Sequence, residues 1–147
     1  VNVVEKMKEV SAMLGGEGNG GVILPDLHYG RDALVGVAIV LSHLATSGKT
    51  MSELRHSYPQ YHMAKNKIQL EVGMDVDGLI AEVMNRYKDE DITTVDGLKI
   101  DFDNEWVHLR KSNTEPIIRV YTEARTAERA HELGNRFVAE MTAMAKV

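Results

Sequence analysis

Two stretches of this chain gather residue types that can do chemistry. The run Arg110-Lys111-Ser112-Asn113-Thr114-Glu115-Pro116-Ile117-Ile118-Arg119 sets two guanidinium groups and an ammonium beside three short hydroxyl or amide side chains. A phosphate dianion takes charge-assisted donors from several sides, and arginine offers a planar fork of them. Ser112, Asn113 and Thr114 accept turn conformations and free their backbone N–H groups, which makes an anion nest. Arg119 alternates with Ile117 and Tyr121, so it should project from a strand on their face. The competing reading is a polar turn whose arginines are simply solvated. The second stretch, residues 15–21, holds five glycines in seven positions. Ordering so many glycines is entropically costly, and a turn needs one or two. The excess points to something approaching the backbone closely, against the plainer reading of a tight turn. Glu17 and Asn19 are the side chains on offer. A carboxylate accepts from vicinal hydroxyls and an amide both donates and accepts, which is the polar equipment of a sugar site.

Other chemical patterns fail on inspection. Gly16-x-Gly18-x-x-Gly21 matches the dinucleotide fingerprint literally, yet it leads into Val22-Ile23-Leu24-Pro25 instead of the helix N-terminus that must hold a pyrophosphate. Gly48-Lys49-Thr50 resembles the end of a P-loop, but His43 stands where its first glycine belongs. Six histidines show no metal-ligand spacing, and the eight methionines read as core filler. There are no cysteines, hence no thiolate metal site or thiol nucleophile. No catalytic residue and no metal site is expected in this chain.

The elements that must position the two stretches follow from patterning. The chain has 147 residues, 44% hydrophobic and 27% charged, an ordinary globular composition. Its apolar runs are too short to span a bilayer, no signal peptide opens it, and the expectation is a cytoplasmic protein without a membrane partner. A net charge of −5, with no aromatic-and-basic face evident, weighs against nucleic acid. Opening on Val1 instead of Met points to a piece of something longer. Residues 1–14 read as one or two short strands. Residues 32–46 read as a helix capped by Asp32, apolar nearly all round and therefore well buried. A short helix is expected over 50–55, and a domain junction at Ser57-Tyr58-Pro59-Gln60. Ile68, Leu70 and Val72 alternate as a half-buried strand does. Val76, Leu79, Ile80, Val83, Met84 and Tyr87 form one helical face behind an Asp75 cap. Asp96-Gly97 predicts a two-residue type I′ hairpin between strands 92–95 and 98–102. Strands follow over 106–109 and 117–121. The last helix starts at a Thr126 cap, with Ala130, Leu133, Phe137, Met141 and Met144 as its stripe. The second half is thus an α+β layer, helices on one face of an antiparallel sheet.

At the two chemical stretches the sequence resembles the α-D-phosphohexomutases, the phosphoglucomutase, phosphomannomutase and phosphoglucosamine mutase superfamily. RKSNTEPIIR, from Arg110 to Arg119, is similar to the family's C-terminal phosphate-binding loop, R-x-S-(G/N)-T-E-P-x-x-R. GEGNGG, from Gly16 to Gly21, is similar to its sugar-binding loop, commonly GEMSGH, and departs from it at Gly21, where histidine is frequent. That variant resembles the phosphoglucosamine or phosphomannomutase-like branch. The resemblance implies that residues 1–56 are the C-terminal part of an α/β third domain and residues 57–147 a TATA-binding-protein-like fourth domain. It implies that Glu17 and Asn19 bind sugar hydroxyls, and that Arg110, Ser112, Asn113, Thr114 and Arg119 hold the phosphate of a hexose or hexosamine. The implied reaction is phosphoryl transfer between hexose 1-phosphate and 6-phosphate through a hexose 1,6-bisphosphate, by a magnesium-dependent phosphoserine enzyme. The phosphoserine loop (TASHNP) and magnesium loop (DGDGDR) do not occur here, so partner domains of the same chain would supply them. The fourth domain would close over the sugar, hinging near Gln60. The chain alone is expected to be inactive. A non-catalytic anion-binding module is the alternative.

Overall fold

The computed structural model describes residues 2–71 and 73–145. Chain contacts divide it into two units, Val1–Pro59 and Gln60–Val147. Val72, expected on the inward face of a strand, lies outside the described residues.

The first unit opens with a helix, α1 (Asn2–Glu9), where strands were expected. The β-branched Val3 and Val4 suggested strand, but Val3, Met7 and Val10 recur at helical spacing, and Met7 is buried. Next, β1 (Gly15–Gly16) pairs antiparallel with β2 (Val22–Ile23), making the glycine run a hairpin loop. Helix α2 (Ala33–Ser47) starts where Asp32 accepts a hydrogen bond from the Val35 N–H, and stops at Gly48, whose φ of 64° suits glycine. That bond is the main reason the Asp32 carboxyl titrates below its ordinary value. α2 is not buried all round as expected. Val35 alone is buried, while Leu34 is 82% exposed and Val37 and Leu41 stand free on the same side. The short β2 strand packs on this helix, with Val22 lying at Gly36, and leaves Leu34, Val37 and Leu41 exposed. Helix α3 (Met51–His56) carries a reciprocal capping box between Thr50 and Glu53.

The second unit is a five-stranded antiparallel sheet in the order β3-β7-β6-β5-β4. Its strands are β3 (His62–Gln69), β4 (Asp91–Thr93), β5 (Leu98–Asp101), β6 (Trp106–Lys111) and β7 (Ile117–Ala124). Strand β3 begins well before Ile68. Its first residues look too polar for a strand because they sit on the sheet edge, with only Ala64 and Ile68 buried. Ile68, Leu98, Ile100, Val107, Leu109, Ile118 and Val120 point to one side. There they meet Val76, Leu79 and Val83 of α4 (Val76–Arg86) and Leu133, Phe137 and Met141 of α5 (Ala127–Met144). Burying each such side chain is worth about 1.5–3 kcal/mol, so this shared core holds both helices on one face. Thr122, fully buried, donates to the Ala130 carbonyl at 2.7 Å, which seats the first turns of α5 on β7.

The β4–β5 hairpin differs from the two-residue turn. Ile92 pairs with Ile100 and Thr93 with Lys99, which centres the hairpin on Asp96. Of the Asp96-Gly97 pair only Gly97 has a left-handed φ, 84°, whereas a type I′ turn needs both. A longer loop closed by a left-handed glycine satisfies that register. The reason for the glycine is close approach: a Cβ there would lie 2.4 Å from the Leu109 carbonyl oxygen.

Candidate functional site

Antiparallel order brings three connections to one end of the sheet. Leu98 pairs with Leu109, Lys111 with Ile118, and Gln69 with Ile117. The β4–β5 turn, the β6–β7 loop and the exit of β3 therefore sit together. The β6–β7 loop is built by its own serine. Ser112 Oγ accepts from the N–H groups of Thr114 (3.4 Å) and Glu115 (3.3 Å), and the Ser112 N–H donates to the Ile117 carbonyl at 3.0 Å. Residues 112–116 thus form a compact bend at the mouth of two strands.

The cations follow from strand register. Arg110 on β6 lies directly opposite Arg119 on β7, and Arg119 lies opposite Lys67 on β3. All three project from the helix-free face, because their neighbours Leu109, Ile118, Val120 and Ile68 point into the core. Like charges placed opposite one another destabilise a sheet by about 0.2–1 kcal/mol per pair. Carboxylates offset only part of this. Asp96 lies 3.1 Å from Arg110, and Glu115 lies 3.7 Å from Arg119, across half-exposed side chains. Arg110, Lys111, Ser112, Asn113, Thr114 and Arg119 together line a hollow of about 180 Å³. All five residues expected to grip phosphate thus border one concavity. A larger hollow of about 410 Å³ on the same unit is lined by Glu71, Asp75 and Glu82, the wrong sign for a phosphate.

The glycine loop in the other unit is also pre-organised. The Glu17 N–H donates to the Gly21 carbonyl at 3.0 Å, and Gly20 turns the chain at a φ of 89°. Asn19 Nδ2 donates to Glu17 Oε2 at 2.8 Å, while Asn19 Oδ1 accepts from the Gly21 N–H at 2.9 Å. Arg31 reaches the same Glu17 oxygen at 3.4 Å. Glu17 and Asn19 are therefore aimed together. The glycines have more local reasons than the approach of a ligand. A Cβ at Gly15 would strike Met7 at 2.1 Å, and one at Gly21 would strike Arg31 at 2.8 Å. Gly18 alone faces open space without a special φ.

Two participants escaped the sequence reading: Arg31 and Asp96. Both are distant in sequence from what they touch. The expectation that no aromatic-and-basic face exists is corrected. Tyr121 lies between Lys65 and His108 on the helix-free face, with Trp106 in the next row. These residues come from separate strands, so no local window reveals them. Lys65 sits 5.6 Å over the Tyr121 ring and Lys99 5.3 Å over the Trp106 ring, which occupies the surfaces a nucleobase would stack on.

The family model described as phosphoglucomutase/phosphomannomutase, alpha/beta/alpha domain III, matches residues 1–61, and the model for the C-terminal domain matches residues 62–140. The chain belongs to the phosphoglucomutase/phosphomannomutase family. A phosphoglucomutase/phosphomannomutase of Thermococcus kodakarensis is 42% identical over 132 residues, 88% of this chain and 28% of that protein. A probable phosphoglucosamine mutase of Methanopyrus kandleri is 37% identical over 94% of this chain and 31% of its own length. The crystal structure of a phosphoglucomutase/phosphomannomutase family protein from Burkholderia thailandensis superposes with a TM-score of 0.70 at 27% identity, covering 98% of this chain and 31% of that one. The phosphohexomutase resemblance and the mixed fold expected with it both hold. This chain spans roughly a third of the length of these relatives.

Proposed function

We propose that this chain is the substrate-clamping portion of a phosphohexomutase that interconverts hexose or hexosamine 1- and 6-phosphates by phosphoryl transfer through a bisphosphate. In this reading Arg110 and Arg119 neutralise the phosphate, and Ser112, Asn113 and Thr114 present hydroxyl, amide and backbone donors around it. Glu17 and Asn19 take the sugar hydroxyls. The observation that carries it is the hollow at the β6–β7 bend, which Arg110 and Arg119 line from adjacent strands together with Lys111, Ser112, Asn113 and Thr114. Phosphoryl transfer depends on positioning and charge neutralisation, and this hollow supplies both for the end of the ester that does not react.

The reaction also calls for a phosphoserine and a magnesium ion. Among the described residues no group of three histidines, cysteines, aspartates or glutamates is placed to hold a metal, and Glu17 is already engaged by Asn19 and Arg31. The metal does not fit these residues, so no step is routed through it here. Partner domains of a longer chain would carry it, and their apolar surface would cover Leu34, Val37 and Leu41. The absence of cysteines accords with a reducing cytoplasm. Among the described residues no helix is long and apolar enough to cross a membrane.

Calorimetry with glucose 6-phosphate and with an oligonucleotide tests the binding claim. Saturable uptake of the sugar phosphate is expected. Uptake of the oligonucleotide alone would reject the proposal. With magnesium and a hexose bisphosphate the 147-residue chain should show no mutase turnover, and turnover above a blank would show that it holds a catalytic apparatus of its own.

A further inference from the structure

Arg31 stands outside the glycine loop in sequence, yet the fold returns it there. The Asp32 N–H donates to the Val22 carbonyl at 2.8 Å, and the Asp32 carboxylate caps α2 through the Val35 N–H at 3.0 Å. These two bonds fix the backbone next to β2, so the Arg31 side chain starts beside the loop. Its stem then crosses Gly21: a Cβ on that glycine would lie 2.8 Å from Arg31 Cδ and 3.2 Å from Cγ. Gly21 has no left-handed φ, so its backbone does not demand a glycine. The stem of Arg31 does, together with Asn19 Oδ1 at 3.1 Å from the same point. The stem ends at Glu17, with Nη1 3.4 Å from Oε2. Asn19 Nδ2 donates to that same oxygen at 2.8 Å. Both contacts fall on Oε2, and among the described residues Oε1 accepts no hydrogen bond. The Arg31 side chain is 62% exposed, so as an ion pair the contact adds little to folding. Its effect is to orient the carboxylate, with one oxygen held and the other available.

We propose that Arg31 is a positioning residue of this site: it pins Glu17 through Oε2 so that Oε1 accepts from a sugar hydroxyl, and glycine stands at position 21 to let it pass. The inference rests on the reading of Glu17 as the hydroxyl acceptor and adds a residue outside the loop. Immobilising a flexible side chain at the moment of binding lowers affinity, and a carboxylate already held avoids that loss.

The test titrates the 147-residue chain calorimetrically with glucose 6-phosphate and with inorganic phosphate, which carries no sugar. Arg31→Met should weaken glucose 6-phosphate binding by about 2- to 12-fold, the loss expected from having to immobilise one side chain on binding. Gly21→Ala, which displaces the arginine stem without touching its charge, should weaken it similarly. Arg31→Lys should recover part of the affinity. Inorganic phosphate binding and thermal melts should match the parent. In a Glu17→Gln background, itself weakened, Arg31→Met should cause no further loss, because the residue acts through Glu17. If Arg31→Met binds glucose 6-phosphate like the parent while Glu17→Gln binds it poorly, the positioning role fails and the sugar-loop reading stands. An equal loss with and without the Glu17 carboxylate, or an equal loss toward inorganic phosphate, also overturns the role. If Glu17→Gln binds glucose 6-phosphate like the parent, the sugar-loop reading itself falls, and the role of Arg31 with it.

Discussion

Arg119→Gln separates a binding arginine from a structural one, because the two roles move affinity and stability in different directions. The side chain leaves the middle of β7 with cations on both flanks, Lys67 and Arg110. Its one carboxylate, Glu115, lies 3.7 Å away, and the two side chains are 39% and 56% exposed, so that pair adds little to folding. A hydrogen bond to a charged group contributes about 1.5–3 kcal/mol, and each 1.4 kcal/mol is about tenfold in affinity. Losing it should raise the Kd for glucose 6-phosphate by about 10- to 150-fold. In a full-length enzyme kcat/KM should fall by a similar factor. Stability should hold or rise, since the substitution removes two unfavourable cross-strand contacts of about 0.2–1 kcal/mol each. Calorimetric titration and thermal melting of the same preparations read both quantities. An unchanged Kd together with a lower melting temperature would refute the reasoning, because Arg119 would then be holding the sheet and not a ligand.

Two further predictions concern the scaffold of the site. Gly97→Ala should destabilise the second unit by at least about 1–2 kcal/mol from its left-handed backbone alone. The added methyl would also press on the Leu109 carbonyl beside Arg110, so phosphate affinity should drop as well; a denaturant melt matching the parent would contradict this. The Glu105 carboxylate accepts two bonds from Arg129, at 2.7 and 2.6 Å. Those bonds are the first reason its carboxyl titrates below the ordinary value, and the charge of Arg129 adds to them against the opposing effect of burial. A group depressed in this way stabilises the fold above the ordinary carboxylate range and loses that contribution as pH falls through its folded value. The melting-temperature gap between parent and Glu105→Gln should therefore be constant near neutrality and close in acid, and a gap that widens in acid would be incompatible with that sign.

Local chemistry made much of this protein readable. Caps at Asp32, Asp75 and Thr126 act within one turn, so the starts of three helices could be read directly, and the stripes of α4 and α5 named core residues. The bend proposed to hold phosphate was legible for the same reason: Arg110, Ser112, Asn113, Thr114 and Arg119 lie within ten residues, and Ser112 organises the bend by bonds to its near neighbours. The misreadings have non-local causes. Val3 and Val4 carry strand propensity, but packing at Met7 makes the segment helical. An all-round apolar α2 implies burial, yet burial needs a surface that this unit does not provide. The Asp96-Gly97 pair signals a turn, but pairing of Ile92 with Ile100 sets its length.

Amino-acid order therefore specified which side chains could hold a phosphate, because that depends on residue type and on spacing along one short loop. Sheet register settled how much charge meets there, since Arg110 and Asp96 become neighbours of Arg119 or of one another only through hydrogen bonds between strands.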